Sequence, residues 1–424
     1  MHGKVRVVRS MKTAVVVGTG AGGATAAREL QGRFQVTMLE AGRPFTPFSM
    51  SMRNMERLKR ARLLLSHRQI SLFFPPMRVA IAADGMKVII GRCVGGTTTL
   101  STGNAIRADK GLRALGIDLD EEFQRLEREL PIGIGHRSCW KPVTRELWNA
   151  FSAEGVDPSP MPKVGDYDRC IGCGRCVFGC PRGVKWDSRS FVAQARSRGT
   201  TVKTGWCVRR VDIRNGEARG VWARRGPLVR FFPADVVILA AGGLGTPRIL
   251  ERSGVRFDQR LFVDPVLCVA ARRGGAAQHA ELPMPFYAER DGCMLSPYFD
   301  YMSYLFDAAW PAAPGEIISI MIKLADAPVG SVHARLNKTL NESDRRRLEH
   351  AADVCSSILE RLGLPPEGHF RGMVTAGHPG GTVPLSASDA QTLHPGCLPG
   401  NLFVADASLF PDGLGAPPML TIIA

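Results

Sequence analysis

The fold is decided near the start of the chain by the stretch Thr13-Ala-Val-Val-Val-Gly18-Thr-Gly20-Ala-Gly-Gly23. Its apolar residues before the first glycine predict a buried parallel strand, and Ala24 to Leu30 follow a helical pattern. A second predicted strand, Gln35 to Leu39, ends at Glu40. Together these segments predict a βαβ unit whose first turn carries the glycine pattern of a dinucleotide-binding site.

Each glycine of this turn has its own task in that pattern. Gly18 makes the turn, Gly20 lets the backbone approach a pyrophosphate, and Gly23 lets helix and strand pack closely. The helix N-terminus then faces the phosphates with the positive end of its dipole. Glu40 stands where a carboxylate accepts hydrogen bonds from a ribose hydroxyl. We therefore predict a bound dinucleotide, whose identity this turn leaves open.

The second informative motif is a run of four cysteines, Cys170-Ile-Gly-Cys173-Gly-Arg-Cys176-Val-Phe-Gly-Cys180-Pro181. Bacterial ferredoxins use this C-x2-C-x2-C-x3-C-P spacing to hold a 4Fe–4S cluster. Thiolates are soft ligands that suit iron, and a structural zinc site is the main alternative. In two-cluster ferredoxins the fourth cysteine serves the other cluster. Cys139 and Cys207 therefore remain alternatives to Cys180 as the fourth ligand.

Composition and charge limit the class of protein. The 424 residues are 45% hydrophobic and 22% charged, as in ordinary globular proteins, and they suffice for two closely packed domains. Because there is no apolar run of membrane-spanning length and no nucleic-acid-binding motif, we expect neither a transmembrane segment nor a nucleic-acid partner. Eleven cysteines, four of them in a metal pattern, fit a reducing cytoplasm. The net charge of +16 suits an acidic partner, although a solvated basic surface explains it more simply.

The middle of the chain predicts further elements of a sheet. Thr201 to Phe232 has the pattern of a β-meander, with a hairpin turn at Asn215-Gly216. Ala234 to Ala241 is a third buried strand, expected beside the first. A helix is expected from Thr246, with Pro247 in its opening turn.

Residues 260–375 change in character and predict a separate sheet-and-helix domain. Glu316 to Leu324 has a strand pattern, and Ser343 to Leu362 is an amphipathic helix. Methionine and aromatic residues concentrate between Met284 and Phe306, either as plain core or as the lining of a substrate tunnel. Earlier in the chain, residues 51–70 predict another amphipathic helix, and the segment from Met1 to Arg9 is basic.

Taken together, these stretches resemble the glucose–methanol–choline (GMC) oxidoreductase family. The resemblance implies an α/β (α+β overall) fold, with a Rossmann-like FAD-binding domain assembled from discontinuous segments, an antiparallel-sheet substrate domain and, here, an inserted iron–sulfur loop. It is strongest at four places: the Gly18 turn with Glu40-Ala-Gly42, the loop Gly95-Gly96-Thr97-Thr98, the segment Gly242 to Gly254, and the tail Asn401 to Thr421.

The resemblance also implies the cofactor and the residues around it. The nucleotide would be FAD, with Asp406 and Ala407 against the pyrophosphate and ribityl chain and Pro417 to Thr421 near the flavin ring. The complete set of implied cofactor-binding residues is Gly18, Gly20, Gly23, Glu40, Gly95, Gly96, Thr97, Thr98, Asn104, Ala241, Gly242, Asp406, Ala407, Pro418 and Met419.

His378, in the pattern His378-Pro-Gly-Gly381-Thr382, falls where the family places its catalytic histidine. A neutral imidazole accepts a proton near physiological pH. The family's second catalytic residue corresponds to Pro417, which has no polar side chain. Either His378 works alone, or a group such as His369 or Asn104 assists it, or the reaction differs.

The resemblance divides the chain into five segments. The FAD-binding domain would comprise residues 1–135, 196–260 and 376–424, the last of these carrying the histidine. Residues 136–195 would form a linker helix and the iron–sulfur insertion, and residues 261–375 the substrate domain.

Three functions remain open at this point. In the first, a hydride passes from an alcohol to flavin N5, His378 takes the hydroxyl proton, and electrons leave singly through the cluster. Their acceptor would be an acidic electron carrier such as a ferredoxin, or a subunit of a redox complex. In the second, the same cofactors run in reverse and reduce a carbonyl or alkene. The third is an electron-relay subunit without a substrate of its own.

Overall fold

A computed structural model describes residues 11–63 and 67–424, so the basic segment Met1 to Arg9 lies outside the described part. The strands are β1 Thr13–Val17, β2 Gln35–Glu40, β3 Met77–Ile81, β4 Lys87–Gly91, β5 Ile132–Gly133, β6 Ser159–Pro160, β7 Lys163–Val164, β8 Thr201–Thr204, β9 Cys207–Arg214, β10 Glu217–Arg225, β11 Leu228–Pro233, β12 Val236–Leu239, β13 Pro265–Arg272, β14 Phe286–Arg290, β15 Cys293–Pro297, β16 Ile317–Leu324, β17 Gly330–Val332, β18 Leu336–Lys338, β19 His369–Arg371, β20 Thr375–Ala376 and β21 Leu402–Val404. The α-helices are α1 Ala21–Glu29, α2 Met52–Arg60, α3 His67–Phe73, α4 Lys110–Ala114, α5 Asp120–Glu129, α6 Pro142–Ala153, α7 Arg189–Ser197, α8 Gly242–Arg252, α9 Tyr301–Phe306, α10 Glu342–Glu360 and α11 Met419–Ile423.

A parallel sheet with the order β21-β12-β1-β2-β8 carries the predicted βαβ unit. The alternating side chains of β1 are buried on both faces: Ala14 and Val16 lie in the core formed with α1 and α11, while Val15 and Val17 lie in the core formed with β9, β10 and β11. Burial on both faces explains why this strand is continuously apolar. The first and third buried strands are neighbours, as predicted.

The predicted meander begins later than expected. Strands β9, β10 and β11 form an antiparallel sheet, but β8 pairs in parallel with β2 at the edge of the first sheet. The left-handed Gly205, at φ +76°, lies between β8 and the meander. The hairpin turn is confirmed, because Asn215 and Gly216 both have positive φ values, 53° and 76°, as a type I′ turn requires.

Helix α8 begins at Gly242, four residues before the expected start, and therefore contains Pro247. Proline has no N–H to donate to the carbonyl four residues earlier, which belongs to Gly243. That carbonyl instead accepts a hydrogen bond from Thr382 Oγ1 at 3.2 Å. The Thr382 side chain of the C-terminal tail thus donates the hydrogen bond that Pro247 cannot donate.

The second large sheet has the order β3-β4-β20-β13-β16-β15-β14-β6, with β19 also pairing with β13. Most of its pairs are antiparallel, although β4 and β20 run in parallel. The predicted helix α10 packs Leu348, Ala352, Cys355 and Leu359 against this sheet. The expected α/β fold with a parallel and an antiparallel sheet is therefore confirmed. The five segment boundaries stay a prediction.

The helix expected over residues 51–70 is instead two helices, α2 and α3, and residues 64–66 between them lie outside the described part. Helix α2 is followed by Arg62 in the left-handed region, at φ 57°. No helix in the described ranges combines the length and apolar character needed to cross a membrane.

Candidate active site

A cavity of about 750 Å³ extends from the glycine turn after β1 to strand β16 of the second sheet. It lies at the carboxyl ends of parallel strands, where α/β folds place their ligands. The predicted residues that line it are Gly18, Gly20, Glu40, Gly96, Thr97, Thr98, Asn104, Ala241, Gly242, His378, Asp406, Ala407, Pro417, Pro418 and Met419. Gly23 and Gly95 are not among the lining residues, and both are closely packed against neighbouring residues behind the cavity surface.

The glycine turn leaves space where a nucleotide would approach. A Cβ atom at Gly20 would meet no atom within 4 Å, so this position opens into the cavity. At Gly18, which has φ +102°, a Cβ would lie 2.2 Å from the Ala240 carbonyl oxygen, and at Gly23 it would lie 2.3 Å from the Gly18 carbonyl oxygen. Gly18 and Gly23 therefore permit close packing, and Gly20 provides the open cradle that a pyrophosphate requires.

Glu40 anchors the turn and also faces the cavity. Its Oε2 accepts hydrogen bonds from the Thr19 amide at 3.1 Å and from Thr19 Oγ1 at 2.6 Å, and its Oε1 accepts one from the Gly42 amide at 2.7 Å. Burial raises the pKa of this carboxyl group, and the three hydrogen bonds oppose that shift. Because a carboxylate offers about four lone-pair sites, Glu40 retains acceptor capacity for a ribose hydroxyl.

Asp406 joins the C-terminal tail to the start of α8. Its Oδ2 accepts from the Gly242 amide at 2.8 Å and from Thr246 Oγ1 at 2.5 Å, and its Oδ1 accepts from the Ser408 amide at 2.8 Å. Burial is the main reason why its pKa is raised. The side chain predicted to lie at the pyrophosphate therefore also holds two distant segments together around the cavity.

His378 faces the cavity with a ring that other polar groups hold in place. Its Nδ1 lies 3.0 Å from Lys323 Nζ and 3.5 Å from Asp264 Oδ2. Burial, followed by the nearby Lys323, lowers its pKa to about 4, although Asp264 and the Ala416 backbone oppose the shift. The imidazole is thus neutral at physiological pH and able to accept a proton.

His369 and Asn104, the two side chains considered as partners of His378, differ in whether they line the cavity. His369 on β19 hydrogen-bonds to the Leu364 carbonyl at 3.0 Å and is absent from the cavity wall. Asn104 lines the cavity, but its Oδ1 accepts from Lys163 Nζ at 2.7 Å. Lys323 was missed by the sequence reasoning, although a lysine in the otherwise uncharged, fully buried β16 was an available signal.

Part of the cavity wall is rich in methionine. Met77, Met284, Met302 and Met321 line it together with Tyr298. The methionine and aromatic stretch of the sequence therefore contributes to the cavity wall. Other aromatic residues of the stretch, among them Phe299, Tyr301 and Tyr304, are packed in a buried core instead.

A second, smaller cavity is lined by all four cysteines of the predicted cluster motif, Cys170, Cys173, Cys176 and Cys180. Cys139 is not in this wall but hydrogen-bonds with Cys170, an interaction that lowers the pKa of the Cys170 thiol to about 6. Cys207 lines the large cavity instead. Within residues 11–63 and 67–424, no side chains are arranged as a set of three or more metal ligands. The cluster therefore stays a hypothesis about this cavity.

Two buried lysines tie the cysteine loop to the large cavity. Lys185 lines the cysteine cavity, and its Nζ donates to the carbonyls of Thr98, Thr99 and Ser101 at 3.0, 2.8 and 2.9 Å. Lys163 Nζ donates to the carbonyls of Thr102 and Pro283, both at 3.1 Å, and to Asn104 as described. Burial lowers the pKa of both lysines, that of Lys163 to about 8.

The two cavities also share a wall along the backbone. Cys176 lines the cysteine cavity, and the next residue, Val177, lines the large cavity. Adjacent Cα atoms are about 3.8 Å apart. One step along the chain therefore separates the linings of the two cavities.

A large cavity at the carboxyl ends of a parallel sheet, with an open glycine turn in its wall, is typical of a nucleotide-binding site. The sequence model of the GMC oxidoreductase family matches residues 13–266, which is more than half of the chain. The protein therefore belongs to the GMC oxidoreductase family, a class of flavoprotein enzymes, and this membership supports FAD as its nucleotide.

Similar proteins support the same family and fold. The chain is 23% identical over 416 residues to "Uncharacterized protein MJ1450" of Methanocaldococcus jannaschii, covering 96% of each chain. It is 28% identical over 490 residues to "Uncharacterized GMC-type oxidoreductase Rv0492c" of Mycobacterium tuberculosis, covering 97% of this chain and 74% of the relative. The crystal structure of pyridoxine 4-oxidase from "Mesorbium loti" superposes with a TM-score of 0.72 at 18% identity, covering 97% of each chain.

Proposed function

We propose that this protein is an FAD-dependent dehydrogenase of CH–OH groups that passes electrons through a 4Fe–4S cluster to a protein acceptor. The observation that carries the proposal is the shared wall, in which Cys176 lines one cavity and Val177 the other. When bound, FAD would supply a two-electron acceptor, and a cluster would supply one-electron transfer. The proposed centres would thus be neighbours.

The large cavity offers separate groups for each part of FAD. Gly20 and the N-terminus of α1 would face the pyrophosphate, and Glu40 would hold the ribose. Ala241, Gly242, Asp406 and Ala407 border the same space from the other side. Thr97, Thr98, Asn104, Pro418 and Met419 would complete the wall near the flavin ring, while Gly23 and Gly95 keep the turns closely packed.

His378 would accept the hydroxyl proton of the substrate. It lines the cavity, and its depressed pKa keeps it unprotonated at neutral pH. General-base catalysis of this kind typically contributes about 10²- to 10⁴-fold in rate. His378 would thus remove the proton while the substrate carbon loses its hydride.

The lining of the cavity favours an alcohol with an apolar body. Met77, Met284, Met302 and Met321 provide flexible, polarisable contacts, and Tyr298 adds an aromatic surface. A hydroxyl group near His378 would then be the polar end of a largely apolar substrate. We therefore expect reactivity to rise with the length of a primary alcohol.

The cysteine cavity suits a cluster in its residues and its surroundings. Cys170, Cys173, Cys176 and Cys180 all line it, and the Gly172 amide lies 3.4 Å from Cys170 Sγ. Amides directed at sulfur stabilise a negatively charged cluster. The buried cations of Lys163 and Lys185 would add to that stabilisation.

The acceptor would be an acidic electron carrier that docks near the cysteine loop. Arg169 and Arg182 are exposed in this loop beside Ile171, which is 55% exposed. Arg169 pairs with Asp166 at 3.6 Å, so the argument for an acidic partner, such as a ferredoxin or a subunit of a redox complex, is the net charge of +16 of the whole protein. This partner would act with the enzyme in a reducing, cytoplasmic setting.

The test is anaerobic purification, followed by the absorbance spectrum, iron and acid-labile sulfide analysis, and titration with primary alcohols of increasing length. Bleaching of flavin by an alcohol, with iron and sulfide present, supports the proposal. Bleaching only by a reduced ferredoxin favours the reverse reaction or an electron relay. Colourless protein without sulfide refutes both cofactor assignments.

A further inference from the structure

Helices α2 and α3 expose apolar side chains that the proposed reaction does not use. Leu72 and Phe73 on α3 are 78% and 49% exposed, whereas Ile70 on the same helix is buried in the core. Leu63, just after α2, is 57% exposed. Large apolar side chains that stand next to one another in solvent indicate an interaction surface, unlike single apolar residues scattered over a protein.

The same part of the chain is strongly basic. Residues 50–83 contain seven lysine and arginine residues and a single acidic residue, Glu56. This glutamate is itself paired with another arginine of its helix at 2.8 Å. Arg53, Arg57 and Arg62 are exposed, and none of the three forms an ion pair with another described residue. Their positive charges are therefore available to a partner.

Protruding apolar side chains beside unpaired arginines fit an anionic lipid layer. Lipid phosphates attract the guanidinium groups, and the acyl chains below them accept leucine and phenylalanine side chains. A side chain as exposed as Leu72 enters a lipid layer without a preformed pocket, whereas a protein partner has to supply one. The net charge of +16 adds long-range attraction to an anionic surface.

Both helices are also fixed to the wall of the large cavity. The Ser71 hydroxyl of α3 donates to the carbonyl of Met77 at 3.1 Å, and Met77 lines the cavity. Lys59 Nζ of α2 donates to the carbonyl of Tyr304 at 2.6 Å. Tyr304 belongs to α9, which contributes Met302 to the same wall. The helices that carry the exposed groups therefore adjoin the methionine-rich part of the cavity wall.

We propose that α2, the turn after it and α3 dock the protein on an anionic lipid layer. Their exposed apolar side chains enter the layer, and their unpaired arginines contact lipid phosphates. This lipid-docking surface comprises Leu63, Leu72, Phe73, Arg53, Arg57 and Arg62. An apolar alcohol dissolved in the layer then meets the protein beside the methionine-rich wall, a consequence that rests on the proposed function.

The first experiment is sedimentation of the holoenzyme with vesicles of phosphatidylcholine, alone or mixed in equal parts with phosphatidylglycerol. We expect binding to the mixed vesicles, weaker binding to phosphatidylcholine, and release as salt is raised, because salt screens the arginines. Hydrogen exchange of the bound protein should slow in peptides that cover α2 and α3. Absence of binding to the mixed vesicles, or slower exchange only elsewhere in the protein, would overturn the proposal.

A double variant tests the apolar groups of the lipid-docking surface. Leu72→Gln combined with Phe73→Gln should weaken binding to the mixed vesicles about tenfold or more, because both side chains lose their burial in lipid. Leu228→Gln combined with Val229→Gln is the matched control, since these side chains are 56% and 58% exposed on β11. Equal binding by the two variants contradicts the proposal.

A second double variant tests the charges and remains informative if the first fails to fold. Arg53→Gln combined with Arg57→Gln should weaken binding about tenfold or more, since each basic residue near an anionic surface adds to the attraction. Arg128→Gln combined with Arg196→Gln lowers the net charge equally at exposed arginines of α5 and α7. An equal loss in this control would assign the effect to net charge and overturn the local contacts.

Two further measurements separate this surface from a protein-binding site and from the proposed function. Slower exchange in α2 and α3 with an acidic ferredoxin, and not with either vesicle, would assign the surface to a protein and overturn the proposal. Flavin reduction by a long-chain alcohol carried in the mixed vesicles should slow about tenfold or more in the Leu72 and Phe73 double variant, and reduction by a short soluble alcohol should not. If neither alcohol reduces the flavin, the proposed function fails, and vesicle binding still decides the docking surface.

Discussion

At the scale of single residues, polar side chains in the cavity wall already form hydrogen bonds with other groups of the protein. Glu40 and Asp406 each accept hydrogen bonds from backbone amides and a threonine hydroxyl. His378 is likewise held at Nδ1, which lies 3.0 Å from Lys323 Nζ. Such preorganisation lowers the cost of orienting reacting groups during catalysis.

Replacing His378 with alanine tests its role as the base. We expect flavin reduction by a primary alcohol to slow about a hundredfold or more, measured anaerobically by rapid mixing. His369→Ala is the matched control, because His369 bonds to the Leu364 carbonyl away from the cavity. Equal rates in both variants would remove His378 from the mechanism.

The pH dependence of the same reaction follows from the depressed pKa of His378. Only the neutral imidazole accepts a proton, and its pKa is lowered to about 4. The rate of flavin reduction should therefore stay level as the pH falls from 7 and decrease only as the pH approaches that value. A decrease centred near pH 6.5, the ordinary value for histidine, would contradict this assignment.

Two glycines of the turn should respond differently to alanine. At Gly20 a Cβ meets nothing within 4 Å, so Gly20→Ala should leave thermal stability nearly unchanged and reduce the bound FAD. At Gly22 a Cβ would lie 1.8 Å from the Ala405 carbonyl oxygen, so Gly22→Ala should destabilise by about 1–3 kcal/mol or more. Thermal unfolding and flavin content measure both effects. Normal flavin content in Gly20→Ala would contradict the assignment of Gly20 to the nucleotide-binding site.

At the scale of elements, segments far apart in sequence complete one another around the cavities. The tail supplies the hydroxyl of Thr382 to helix α8 where Pro247 has no N–H. The cysteine loop is fixed to the short helix Gly96–Leu100 by Lys185. Side chains from distant segments thus satisfy backbone carbonyls of these elements.

Thr382→Val tests the first of these links. The substitution keeps the shape but leaves the buried Gly243 carbonyl unsatisfied, which should cost about 1–3 kcal/mol in the free energy of unfolding. Urea denaturation measures the change, and Thr382→Ser, which keeps the hydroxyl, should lose much less. A loss in Thr382→Ser that exceeds the loss in Thr382→Val would show that the methyl group, and not the hydrogen bond, matters.

Single cysteine-to-serine substitutions test the loop. Because Cys170, Cys173, Cys176 and Cys180 share one cavity, replacing any of them should lower iron and acid-labile sulfide content. Cys207→Ser should retain both, because Cys207 faces the other cavity. Cys139→Ser is expected to behave like Cys207→Ser. Loss of iron in Cys139→Ser with retention in Cys180→Ser would reverse the assignment of the fourth ligand.

At the scale of the whole molecule, the proposed electron exit lies in an exposed loop of a protein with a large positive charge. The formal net charge is +16. Long-range attraction raises the association rate with an acidic partner, and salt screens it. Surface charge would therefore influence the association rate of the acceptor protein.

Electron transfer to an acidic ferredoxin should accordingly slow as ionic strength rises from about 0.01 to 0.15 M, where the screening length falls from about 30 to 8 Å. The rate of reoxidation after reduction by an alcohol measures this effect. A neutral quinone acceptor is the control and should show little salt dependence. Equal salt effects for both acceptors would argue against a basic docking surface.

Much of this architecture was predictable because its determinants are local. The strand before Gly18, the helix after it and the hairpin at Asn215 follow from short patterns of apolar residues and glycine. The position of Lys323 beside His378 was not, since it depends on how β16 and the tail meet across 55 residues. The pairing of β8 with β2 likewise depends on a distant edge.

The step from Cys176 to Val177 has a consequence for how the protein is assembled. Consecutive residues line the two cavities, and Lys185 donates to a carbonyl in the segment between them. We therefore expect a change in the shape of one cavity to alter the other. Protein from which iron has been removed should then release its nucleotide more readily. Retention of one prosthetic group would thus depend on incorporation of the other.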